Sequence, residues 1–158
     1  MPGIDECLLK AMTLPGARGA AVVDWTSGLA LGTVGDSPNG DHEATAAETA
    51  ELARMAAEQT AFALTESHRP AELWGPPGPP RPALDRATFG APEITDPGKG
   101  APVEDVIVTT RTGYHLLHFV ETAFDSSVFV HVWLDRDEGN LALARICLKD
   151  LAERLVLG

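Results

Sequence analysis

The sequence predicts an α+β domain: a five-stranded antiparallel sheet flanked by helices on both faces as a three-layer sandwich, in the order α-β-β-α-β-β-β-α. Three observations predict it. Five short segments, most of them rich in Val, Ile, Phe and Thr, are set off by turn residues, and three others carry apolar residues at helical spacing. In the segment from Tyr114 to Glu121, apolar residues fall on both alternating sets, so neither face of that strand is polar and the sheet needs cover on each side.

Ile4, Cys7, Leu8, Ala11 and Met12 recur at helical spacing, and Pro15-Gly16 ends that helix. The stretches Ala20 to Trp25 and Leu29 to Val34 flank Thr26-Ser27-Gly28, a glycine-containing turn suited to a hairpin. Asp41 supplies the N-cap of a long Ala-rich helix, free of Gly and Pro, that is predicted to run to about Ser67. Its early acids Glu43 and Glu48 favour the positive end of the helix dipole. Val103 to Thr109, Tyr114 to Glu121 and Ser126 to Leu134 read as an antiparallel meander, turning at Arg111-Thr112-Gly113 and at Ala123-Phe124-Asp125. Asp135 with Glu138, or else Asn140, caps a closing helix whose Leu141, Ala144, Leu148, Leu151 and Leu155 stripe one face.

The 158 residues make one domain, 1–158, interrupted by an insert. The insert, 69–102, holds nine of the twelve prolines and five of the fifteen glycines, so it packs neither as a helix nor as a central strand. Its charges cancel, which leaves the whole net charge of −11 on the rest of the chain. Such an acidic protein repels phosphate backbones and anionic lipid surfaces, so nucleic acid and membrane are not expected partners. No apolar run is long enough to span a bilayer, and a cytoplasmic protein is expected.

Chemistry-bearing patterns are sparse. Neither glycine-rich phosphate-binding signature occurs, Ser126 and Ser127 lack an elbow motif, and no catalytic residue or cofactor is expected. Cys7 and Cys147 have no metal-type spacing and read as small core residues. Strand alternation sends His115 and His118 to opposite faces, and only His118 with His131 is placed to meet across neighbouring strands. Two ligands do not make a metal site, and half-buried, hydrogen-bonded sheet histidines are the simpler reading. Arg111 and Arg136 are loop arginines that could reach a partner's phosphate in the manner of an arginine finger, although loop arginines are mostly solubilising.

The long helix carries the strongest signal. At 100° per residue, Ala46, Ala50, Ala53, Ala57, Ala61 and Leu64 form one small-residue stripe, while Leu52, Met55 and Phe62, with Gln59 among them, cluster nearly opposite. A helix on one sheet needs a single apolar face, so the other calls for a symmetry mate, another protein or the insert. Alanine is also a good helix former, and the lesser alternative is that its stripe is solvent-exposed filler. Which stripe meets the sheet is open at this level. The expected homodimer or partner interface therefore comprises Ala46, Ala50, Leu52, Ala53, Met55, Ala57, Gln59 and Phe62, with pairing of an outer strand as a further contribution.

The run Leu14-Pro15-Gly16-Ala17-Arg18-Gly19-Ala20-Ala21-Val22-Val23-Asp24, followed by Ser27-Gly28-Leu29-Ala30, resembles the opening of the roadblock/dynein light-chain family. The resemblance continues through the Ala-rich helix, the meander and the last helix, and lapses only at the insert. It implies a homodimer built around the second helix and an adjoining strand, without catalysis. It further implies an adaptor or regulator of a small Ras-like GTPase in a signalling or cell-polarity system. The alternative from the residues themselves is a small-molecule sensor, its pocket lined by Trp25, Tyr114, Phe119, Phe129 and Trp133.

Overall fold

The computed structural model describes residues 3–62, 102–121 and 127–157. Helix α1 is Ile4–Ala11, strands β1 and β2 are Ala17–Asp24 and Leu29–Gly35, and helix α2 is His42–Glu58. A single 3-10 turn, Thr60–Phe62, follows; strands β3, β4 and β5 are Asp105–Thr109, Gly113–Val120 and Val128–Asp135; helix α3 is Leu141–Leu157. All strand pairs are antiparallel and the sheet order is β2-β1-β5-β4-β3, with β1 and β5 adjacent although far apart in sequence.

Each sheet face has its own core. Leu8 and Ala11 of α1 and Ala144, Leu148 and Leu151 of α3 cover Ala20, Val22, Leu116, Val130 and Val132 on one side. On the other, Ala46, Ala50 and Ala53 of α2 cover Ala21, Val23, Leu117, Phe119 and Phe129. Consecutive β1 residues such as Val22 and Val23 enter opposite cores, as the pleat requires of a strand buried on both faces.

Two local features differ from expectation or decide between alternatives. Helix α2 stops at Glu58, where Gln59 takes extended backbone (φ −73°, ψ 129°), and not at about Ser67. Alanine propensity alone sustains a helix weakly, and the fully buried positions that anchor this one end at Ala53. Residues 63–101, which hold all of the insert but Pro102, and the turn Ala123-Phe124-Asp125 lie outside the described residues. At the second, Asn140 and not Asp135 caps α3: Asn140 Oδ1 accepts from Leu143 N (3.0 Å), while Asp135 Oδ1 accepts from the amides of Asp137 (2.9 Å) and Glu138 (3.1 Å) and closes the turn before the helix.

Gly16 ties the ends of this frame together. Its φ of +74° favours glycine, and a Cβ there would lie 2.5 Å from Gly139 N. Its carbonyl accepts from Asp135 N at 2.7 Å, which joins the start of β1 to the end of β5.

Candidate functional site

Helix α2 begins where Asp41 Oδ1 accepts from Glu43 N (2.9 Å) and Ala44 N (3.3 Å). Its small stripe meets the sheet: Ala46, Ala50 and Ala53 are at most 1% exposed, and Ala57 is half-buried behind them. Small side chains let the helix axis approach the strands closely. The opposite stripe faces outward, with Met55 58% exposed and Leu52 half-buried, and it runs on past the end of the helix to exposed Gln59 and to Phe62, 54% exposed. Of the predicted interface residues, Ala46, Ala50 and Ala53 are thus unavailable to any partner, because a fully buried methyl offers it no surface.

Between this outer stripe and strand β3 runs a groove of about 400 Å³, lined by Leu52, Met55, Ala56, Gln59 and Phe62 on one side and Val103, Asp105 and Val106 on the other. The strand half of the groove was not legible in the sequence, since a helical wheel shows one helix and β3 begins only at Asp105, beyond the insert. The outer surface of α2 is also acidic: Glu43, Glu48, Glu51 and Glu58 are exposed. The single cation of the helix, Arg54, is held internally, Nη1 donating to Glu51 Oε1 and Nη2 to the Trp25 carbonyl, each at 3.0 Å.

The histidines pair otherwise than expected. Leu117 stands opposite His131 in the β4–β5 register, which puts His131 on the face of Leu117 and His115, away from His118. His115 Nδ1 and His131 Nε2 lie 3.1 Å apart, and the stack continues through Trp133 to the Arg18 guanidinium, 4.1 Å from the indole centroid. Burial pushes His131 down to about 3, with His115 adding to the effect. A neutral imidazole hydrogen-bonded to its neighbour has one nitrogen already committed, and among the described residues no group of three or more His, Cys, Asp or Glu is placed to hold a metal.

Other candidate residues are engaged within the fold or dispersed. Arg136 donates from Nη1 to the Thr110 carbonyl (3.0 Å) and lies over the Tyr114 ring at 5.0 Å, whereas Arg111 is exposed. The five aromatics of the sensor reading do not converge: Tyr114 packs with the α1/α3 core, Phe119 and Phe129 are buried under α2 with Trp25 beside them, and Trp133 joins the histidine stack.

A two-cored α+β sandwich whose open apolar surface belongs to a helix and an edge strand defines the class. Neither a protein-family model nor a curated protein matches the chain. Among solved structures it is similar to MglB of Myxococcus xanthus, at 14% identity and a TM-score of 0.60, over 98% of this chain and 94% of that one. It is similar as well to a Roadblock/LC7 domain from Streptomyces avermitilis (16% identity, TM-score 0.52, 96% and 93% covered) and to M. xanthus MglC (17%, 0.51, 97% and 96%). The chain has the roadblock/LC7 fold, in agreement with the resemblance carried by residues 14–30.

Proposed function

We propose that the protein is a non-catalytic homodimeric adaptor that regulates a small Ras-like GTPase. One observation carries the reading: the exposed side of α2 at Met55, and Phe62 in the turn that follows, continue into the groove along β3, whose outer edge has no strand partner among the described residues, so helix and strand edge offer apolar surface together. The dimer forms through this surface, with Leu52, Met55, Gln59 and Phe62 as contacts. A second MglB structure of the same fold is described as having a tetrameric arrangement, which supports association as a use of this architecture. The GTPase partner follows from the family that residues 14–30 resemble. The carboxylates of Glu48, Glu51 and Glu58 favour a basic patch on it.

No described helix is long and apolar enough to cross a membrane, and the protein is proposed to act in the cytoplasm. The test is binding of the purified protein to Ras-like GTPases from its own source, each loaded with GDP or a non-hydrolysable GTP analogue. Preference for one nucleotide state supports the reading, and failure with every candidate in both states contradicts it.

A further inference from the structure

A second groove lies on the other side of the sheet, between β3 and the flank of α3. Two adjoining clefts, of about 430 and 380 Å³, share Glu104, His118 and Lys149. On α3 they extend from Ala142 to Val156, about 21 Å at 1.5 Å per residue. The core stripe of α3 does not explain this flank. Ile146 is 70% and Val156 40% exposed, turned out of the core filled by Ala144, Leu148 and Leu151. Apolar side chains therefore line a trough between α3 and the outermost strand, β3, which the helix reaches through the Arg145–Asp105 ion pair.

The charge in the trough is one-sided. Its larger cleft holds Glu104, Glu121 and Glu153 against Lys149. None of the three glutamates forms an ion pair among the described residues. In the smaller cleft Arg145 is neutralised by Asp105, Nε to Oδ2 at 2.9 Å. His118 adds no positive charge at neutral pH, because burial holds it below the usual histidine range against the pull of Asp105 and Glu104.

We infer that this trough docks an amphipathic basic helix of a partner protein, its apolar side on Ile146 and Val156 and its lysines or arginines on Glu104, Glu121 and Glu153. A length of about 21 Å matches some four helical turns, and an apolar floor with an uncompensated acidic rim is the complement of such a segment. The α3 wall of the trough lies across the sheet from α2, and the two surfaces adjoin at β3, where Val103 and Asp105 line both. It gives the protein a second docking surface, which an adaptor needs.

The probe is a fluorescein-labelled 14-residue amphipathic helix of leucine and lysine, followed by anisotropy at 150 mM salt. A shuffled peptide of the same composition without an apolar face serves as its control. Glu121→Lys with Glu153→Lys should weaken binding at least tenfold. Glu6→Lys with Asp36→Lys, an equal charge change at exposed sites elsewhere, should alter it less than twofold. Val156→Asp, with helicity checked by circular dichroism, should also weaken it tenfold. Equal loss in the two charge pairs, or equal binding of the shuffled peptide, would reduce the effect to bulk charge and overturn the inference. Altered sedimentation of the trough variants without peptide would assign the surface to a second copy and overturn it as well.

Discussion

His115 Nδ1 and His131 Nε2 lie 3.1 Å apart across β4 and β5, one imidazole donating and the other accepting, with His131 only 3% exposed. Folding thus selects the neutral form of His131, whose pKa is pushed down to about 3. For a depressed histidine the contribution to stability is complete above the unfolded value of about 6.5 and is lost as pH falls toward 3. Urea unfolding of the native protein should show about 2 kcal/mol less stability at pH 5 than at pH 7 from this group. The same comparison on His131→Gln should lack that increment, and an unchanged pH dependence in the variant would refute the assignment.

Asp41 closes the first turn of α2 by accepting two amide hydrogen bonds. Asp41→Ala should cost about 1 kcal/mol, read as a lower urea midpoint at an unchanged slope.

Gly16 combines a φ of +74° with a backbone neighbour 2.5 Å from where a Cβ would stand. Gly16→Ala should destabilise the fold by about 2 to 4 kcal/mol, more than an ordinary surface glycine, because both the conformation and the space are denied. Gly40, with a similar φ but nothing near its Cβ position, provides the comparison. Gly40→Ala should cost about 1 kcal/mol, and thermal melts of the two variants check the difference.

Two substitutions on α2 that the wheel alone treats alike should part company. Ala53 is fully buried against the sheet, so Ala53→Arg should abolish the cooperative melt. Met55 is 58% exposed, so Met55→Arg should melt within about 0.5 kcal/mol of wild type and act on association only.

The fold was legible because its signals are local: the alternation of Tyr114 to Glu121, the Asp41 cap and the Gly28 turn each specify an element without reference to the rest. The two-faced character of α2 was legible for the same reason. Its assignment was not, since whether Ala53 or Met55 meets the sheet depends on how closely the strands approach. Long-range register decided what remained. The pairing of Leu117 with His131 sent His131 to His115 and not to His118, and the arrival of Val103 and Val106 beside Leu52 turned a helix stripe into a groove.

Sedimentation equilibrium across the micromolar range tests the homodimeric adaptor most directly. The wild-type protein should sediment at twice the 16.7 kDa of one chain. Met55→Arg, folded by circular dichroism, should sediment at the mass of a single chain. A wild-type protein that stays monomeric throughout that range, with the outer side of α2 in water, would contradict the account.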